Sequence, residues 1–165
     1  VMSYSEVFDC FEEYKVAYLV AGGMAVNLHG VPRFTKDLDI LVDTSKANLN
    51  RLSQALKKLG YKPRVPVRLE KFLDVKNWQK WKKEKGMKAF TLFHPQVPFE
   101  EIDILTGVSI SYITAAKNKV TMRAGRMSIH VVSIEDLIKM KKEAGRQQDW
   151  SDIEALRKVK KRIKN

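Results

Sequence analysis

Two aspartates, Asp37 and Asp39, flank a single apolar residue at the start of an apolar run from Leu38 to Val42. Side chains alternate faces along an extended strand, so both carboxylates point the same way and converge on one spot. At neutral pH they repel each other unless a proton or a cation lies between them. Hard divalent cations such as Mg²⁺ take oxygen ligands of this kind. A third aspartate, Asp103, is set between Ile102 and Ile104 in another alternating run, Phe99 to Leu105. Its carboxylate therefore faces away from the apolar side, and three carboxylates on adjacent strands can hold two metal ions. One ion of such a pair lowers the pKa of an attacking hydroxyl while the other stabilises the leaving oxygen of a phosphate. Gly22 and Gly23 offer the complementary half. Lacking Cβ atoms, they let backbone N–H groups approach a polyphosphate at the start of a helix, where the dipole favours negative charge. Arg33 and Lys36, just ahead of the carboxylates, can add charge-assisted contacts.

The elements that must position these groups are readable from periodicity and punctuation. Tyr18 to Ala21 reads as a short strand, Gly22 and Gly23 as a tight turn, Met24 to Leu28 as a helical turn, and Leu38 to Val42 as a second strand. Ser3 or Ser5 can cap a first helix reaching about Tyr14, and Ser45 can cap a longer one that Gly60 stops. Arg68 to Glu84 reads as one helix, with Phe72, Val75 and Trp78 spaced by threes, followed by a strand over Lys88 to Phe93. Trp78 and Trp81 lie among lysines, where packing is the expected role and base stacking the alternative. Val120 to Arg123 and Met127 to Val132 flank a turn at 124–126 and read as a hairpin. Ser133 and Asp136 then open a helix that Gly145 ends, and a last helix runs from about Gln148 or Ser151 to Ile163.

Composition narrows the setting. A chain of 165 residues, 44% of them hydrophobic, suits one domain with a real core. No apolar run of about 20 residues is present to span a bilayer, and the first residues lack a secretory pattern, so the expectation is a cytoplasmic protein with no membrane partner. Cys10 is the only cysteine, read as a small buried apolar residue. The net charge is +12, and Lys57 to Lys88 holds twelve Lys or Arg against Glu70, Asp74 and Glu84. A second basic block from Arg157 to Lys164 has no acidic residue. Such fields attract polyanions. His29, His94 and His130 show no metal spacing and read as structural groups. No Walker loop, zinc motif or nucleophile elbow occurs.

Taken together, these residues resemble the DNA polymerase β-like nucleotidyltransferase superfamily: a glycine-pair turn, a spacer, Asp-x-Asp, then a third aspartate on a later strand. Thirteen residues, 24–36, separate Gly23 from Asp37, and Asp103 takes the third place. Within that superfamily the chain is similar to the small AbiEii-type nucleotidyltransferases, some of which are toxins of toxin–antitoxin pairs. The segments GGMAVNLHGVPRFTKDLDILVD, EEIDIL and VVSIEDLIKMKKEAGRQQDWSDIEAL carry the likeness. The resemblance implies an α/β (α+β) fold with a polymerase β palm-like mixed, twisted sheet flanked by helices. It implies a single nucleotidyltransferase-like domain over 1–165, with its core over 1–132 and C-terminal helices over 133–165. It implies transfer of a nucleoside monophosphate from an NTP to an acceptor hydroxyl, dependent on Mg²⁺ or Mn²⁺, with release of pyrophosphate. Asp37, Asp39 and Asp103 would be the catalytic and metal-binding residues, and Gly22, Gly23, Arg33 and Lys36 would hold the nucleotide. Lys141 and Arg146 would reach its phosphates, with Asp149 or Asp152 orienting one of them. Gln147 and Gln148 stand where a proline and a basic residue are common. By the same analogy the acceptor is RNA such as a tRNA end, met by segment 57–88, with a small hydroxylated molecule or a protein side chain as the alternatives. A catalytically inactive module of the same fold, binding RNA or a partner, is the competing expectation. An antitoxin or a second copy of the chain are the protein partners it leaves open.

Overall fold

The computed structural model describes residues 4–165. Its first helix, α1 (Ser5–Glu13), leads to the strand β1 (Tyr18–Val20), the short helix α2 (Gly22–Leu28) and the strand β2 (Leu38–Val42). The helix α3 (Lys46–Leu59) returns the chain to a two-residue strand, β3 (Lys62–Pro63). Two helices, α4 (Leu69–Phe72) and α5 (Val75–Lys85), then precede the strands β4 (Ala89–Phe93) and β5 (Glu101–Leu105). A one-turn helix, α6 (Tyr112–Ala116), the hairpin of β6 (Val120–Ala124) and β7 (Met127–Val131), and the helices α7 (Ile134–Ala144) and α8 (Gln147–Lys164) complete it.

The strands form one mixed sheet in the order β3-β4-β5-β2-β1-β7-β6. The two inner neighbours β2 and β5 run parallel, and Asp39 is the register partner of Asp103. Across the other boundary β5 is antiparallel to β4, with Thr91 opposite Asp103. Because side chains alternate, Thr91, Asp103 and Asp39 form one row on one face. Phe90, Leu92, Ile102, Ile104, Leu38 and Ile40 face the other way and are wholly buried. The mixed α/β sheet and its helical C-terminus agree with the fold expected from the sequence.

Local chemistry explains most boundaries. The side-chain oxygen of Ser45 accepts from the Asn48 backbone N–H to open α3, and Gly60 closes it in the left-handed conformation at φ +83°. Buried Asn48 then ties two strand ends together, accepting from the Ala17 N–H and donating to the Ala17 and Asp43 carbonyls. Ser133 and Gly145 bound α7 in the same way as Ser45 and Gly60 bound α3. Of the two proposed caps for α1, Ser3 lies outside the described residues, and Ser5 is the first helical residue, preceded by Tyr4 at the cap position.

Several expectations are corrected. The helix read over Arg68 to Glu84 is two helices, because Asp74 takes an extended conformation and its carboxylate caps the Lys76 N–H to restart the chain as α5. The strand expected from Phe99 starts at Glu101; Phe99 itself sits at φ +72°, outside the strand region. Gly22 and Gly23 are the first residues of α2 and not a separate turn. The tryptophans resolve as packing: Trp78 stacks on Phe90, and Trp81 leans on Phe72 and Phe90. Cys10 is buried, and among the described residues no helix is long and apolar enough to cross a membrane.

Candidate active site

Register does what the sequence alone only suggests: it sets Asp39 beside Asp103 on adjacent parallel strands, roughly 4.8 Å apart in the hydrogen-bonding direction. Asp37 stands one residue ahead of β2, two positions from Asp39, and is therefore aimed to the same side. The Asp39 carboxylate lies against the glycine pair. A Cβ on Gly22 would come within 1.8 Å of Asp39 Oδ2, and Gly22 holds φ +60° besides. A Cβ on Gly23 would lie 2.7 Å from Thr35 Oγ1 and 3.1 Å from Arg33 Cζ. Both glycines are thus required by close approach, the first also by its backbone conformation.

The electrostatics of the carboxylates match their crowding. Burial, then repulsion from Asp103 and Asp37, pushes Asp39 up to about 7, against a smaller pull from Arg146 and Lys141. Burial likewise raises Asp37, partly offset by Lys36, with Asp103 raising it further. Among the described residues, Asp37 Oδ1 is one of three buried side-chain polar atoms without a hydrogen-bond partner. Asp103 is fixed by a neighbour that sequence reasoning missed: Thr91 Oγ1 donates to its Oδ1 at 2.5 Å. Tyr4 is a second such residue. Its hydroxyl reaches the Lys36 carbonyl at 2.6 Å and the Glu101 carbonyl at 2.9 Å and accepts from the Glu101 N–H, joining the lead-in segments of both acidic strands. Thr91 had a weak signal, a polar residue between Phe90 and Leu92 in an alternating strand. Tyr4 had none.

The remaining candidates fall into two groups. Lys36 extends over the Phe99 ring, 6.0 Å from its centroid, near the carboxylates but hydrogen-bonded to none. Arg33, Lys141, Arg146 and Asp149 join Asp152 in one network. Lys141 is 5% exposed, with its ammonium 3.0 Å from Asp149 and 2.7 Å from Asp152. Asp152 also accepts from Arg33 Nη1 at 2.5 Å, and Asp149 from Arg146 Nε at 2.9 Å. Burial acts to raise both carboxyls, but hydrogen bonds from Arg146 and Lys141 on Asp149, and from Lys141 and Gln148 on Asp152, hold them below the usual range. The histidines are structural. His29 Nε2 donates to the Val132 carbonyl, His94 Nε2 to the Leu59 carbonyl, and His130 pairs with Thr121.

No three His, Cys, Asp or Glu side chains among the described residues are drawn tightly enough together to form a ready metal cage. The donor set nonetheless fits a divalent cation: hard oxygen ligands, an unpartnered buried Asp37 oxygen, and an Asp39 carboxyl that burial and then its acidic neighbours push up to about 7, a cost that a bound cation relieves.

The sequence matches, over residues 8–158, the family model described as nucleotidyl transferase AbiEii toxin, type IV toxin–antitoxin system. The chain belongs to the AbiEii nucleotidyltransferase family. Solved structures with the same fold include the lincosamide antibiotic adenylyltransferase LnuA in its lincomycin-bound form, 19% identical at a TM-score of 0.60, covering 93% of each chain. A Thermotoga maritima protein assigned as a nucleotidyltransferase is 18% identical at a TM-score of 0.60, over 95% of this chain and 89% of that one. The antibiotic-resistance factor ANT(2″)-Ia is 14% identical at 0.56, over 96% and 80%. No curated protein matches the sequence. At these identities the likeness shows a common fold, and AbiEii membership rests on the family model. The basic segment divides between the two faces of the sheet: Arg64 pairs with Glu101 on the face of the carboxylates, whereas the α5 lysines lie across from them. Helix α5, with exposed Lys76, Lys80, Lys82, Lys83 and Lys85, packs through Trp78 on Phe90, on the face opposite Thr91 and Asp103.

Proposed function

We propose that this AbiEii nucleotidyltransferase moves a nucleoside monophosphate from a nucleoside triphosphate to an acceptor hydroxyl. The observation that carries the reading is the Asp39 carboxylate packed against Gly22 and in register with Asp103, which joins a cation-seeking carboxylate set to a surface that only glycine permits. The triphosphate lies over Gly22 and Gly23, where backbone can approach its oxygens, with Arg33 beside Gly23. Mg²⁺ or Mn²⁺, held by Asp37, Asp39 and Asp103, would neutralise phosphate charge and acidify the acceptor hydroxyl. Asp103, oriented by Thr91 through Oδ1, keeps Oδ2 to accept the proton of the acceptor. The acceptor oxygen then bonds to the α-phosphorus, the bond from that phosphorus to the α–β bridging oxygen breaks, and pyrophosphate leaves.

The net charge of +12 favours RNA, such as a tRNA end, as acceptor. A second reading, a small hydroxylated acceptor, draws on the placement of the α5 lysines across the sheet from the carboxylates. Enzymes such as LnuA, a lincosamide adenylyltransferase, show the fold serving that chemistry. The toxin–antitoxin setting of the family suggests an antitoxin partner. Incubating the protein with each α-labelled triphosphate, Mg²⁺ and either total RNA or a panel of hydroxylated small molecules tests the reading. Label should move to one acceptor class, and Asp37→Ala with Asp39→Ala should abolish it. No transfer to RNA, protein or small molecule, with no change in the double variant, refutes the proposal.

A further inference from the structure

Beyond the C-terminal ends of the parallel strands β2 and β5 lies a cavity of about 270 Å³, lined also by residues of α5 and α6. That is just below the range of about 300–1,000 Å³ found for drug-sized ligands, so the occupant it suits is smaller than those. Its walls are apolar, supplied by Trp78, Leu105, Val108 and Tyr112. Ile113 stands at the opening and is 67% exposed, an apolar side chain that α6 turns to the cavity mouth and not to the core.

Two polar groups meet in these walls. Lys82 Nζ lies 3.4 Å from the Thr106 carbonyl, and Thr106 Oγ1 is another of the three buried side-chain polar atoms without a hydrogen-bond partner among the described residues. Among those residues Lys82 pairs with no carboxylate, and its only hydrogen bond is that long one to a carbonyl. Asp43, the one acidic residue of the lining, spends both oxygens on Ser45, accepting from its N–H and its hydroxyl at 3.1 Å each. The cavity therefore presents an unmatched ammonium and an unmatched hydroxyl beside an apolar surface. Leaving a buried hydroxyl unpaired is costly, and an acceptor brought to it recovers that cost. A carboxylate can accept from the ammonium and the hydroxyl together, while an apolar body attached to it displaces water from the walls.

The place is separate from the catalytic one. Thr106 is three residues past Asp103 and Val42 three past Asp39, which is about 10 Å along the strands. We propose that this cavity binds a small organic monocarboxylate with a ring or branched-chain body, its carboxylate taken by Lys82 and Thr106 and its body by Trp78, Leu105 and Tyr112. The site does not depend on the reading of Gly22 and Gly23 as a triphosphate seat.

The test is an NMR titration of the intact, nitrogen-15-labelled chain with hydrocinnamate, isocaproate and benzoate, using acetate and hydrocinnamamide as controls. At least one of the three acids should shift the amide signals of Lys82, Thr106 and Ile110 saturably, with a dissociation constant of about 1 mM or tighter. Acetate, which has the charge without the body, should not. Hydrocinnamamide should bind about fivefold more weakly than hydrocinnamate, because it forgoes the charge-assisted bonds. Lys82→Met alters an exposed side chain and so leaves the packing intact; it should bring the acid down to the affinity of the amide and leave the amide where it was. Thr106→Val, which removes only the hydroxyl, should also weaken the acid more than the amide. The proposal is overturned if none of the three acids shifts these signals saturably, if acid and amide bind equally to the parent, or if their difference survives Lys82→Met.

Discussion

Replacing Asp39 by Asn should stabilise the metal-free protein at alkaline pH and do little in acid. Desolvation of its carboxylate, and then repulsion from Asp103 and Asp37, pushes Asp39 up to about 7 in the folded chain, against 3.8 for an unperturbed aspartate. Between those values the folded state holds a proton that the unfolded chain has released. Stability from this group is therefore full below about pH 4 and is lost as pH rises through 7. The interval corresponds to a ceiling of about 4 kcal/mol, at the standard conversion between pKa and free energy. Asn has the shape of the protonated acid and no charge to ionise. The gap in melting temperature between Asp39→Asn and the parent should thus open steadily from pH 4 to pH 8. Each kcal/mol moves the melting temperature of a chain this size by about 2–4 °C. Differential scanning calorimetry in chelator measures the gap directly, and Mg²⁺ added at pH 8 should narrow it by stabilising only the parent. A gap that is constant with pH, or one that closes as pH rises, would refute the claim that desolvation and neighbouring carboxylates together disfavour the Asp39 charge at this site.

Gly22→Ala should leave the fold intact and reduce nucleotide transfer at least about 100-fold, since the new methyl displaces the Asp39 carboxylate from 1.8 Å and displacements of that order carry such losses. Gly30→Ala, at φ +95° with nothing within 4 Å, serves as the control for backbone strain and should retain activity. Lys141→Met should lower unfolding stability by about 3–5 kcal/mol in urea titrations, because it leaves Asp149 and Asp152 buried without their shared cation. Thr91→Val should reduce kcat with little change in KM for the triphosphate, since it frees Asp103 without touching the glycine seat. If RNA is the acceptor, its affinity should fall on a log–log plot against salt with a slope of about −0.7 per phosphate contacted, and a flat response assigns a small acceptor.

What the sequence disclosed, and what it withheld, follows from the range of the interactions. The Asp37–Asp39 spacing and the apolar neighbours of Asp103 define strand faces locally, so the acidic row was legible before any pairing was known. The capping serines at 45 and 133 and the closing glycines at 60 and 145 act within four residues and were equally plain. The break between α4 and α5 was hidden because Phe72, Val75 and Trp78 keep helical spacing across Asp74, which reads as a cap only once its extended conformation is seen. Strand β3, two residues long and ending in Pro63, and the five-residue helix α6 are held by tertiary pairing and not by pattern. The Thr91–Asp103 contact depends on antiparallel register, and the Tyr4 bridge on a separation of 97 residues. The roles of Lys141, Asp149 and Asp152 were the least legible, since charges on two helix surfaces look alike whether they face solvent or each other.

The central claim is that Asp37, Asp39 and Asp103 form, with Gly22 and Gly23, a joint seat for a divalent cation and a triphosphate. Electron paramagnetic resonance of Mn²⁺, titrated with a non-hydrolysable triphosphate, tests it without requiring the acceptor. The account predicts that Mn²⁺ is immobilised by the parent chain when the triphosphate is present, and that Asp39→Asn and Gly22→Ala each release it. Immobilisation that persists unchanged in both variants, or that never occurs in the parent, would contradict it.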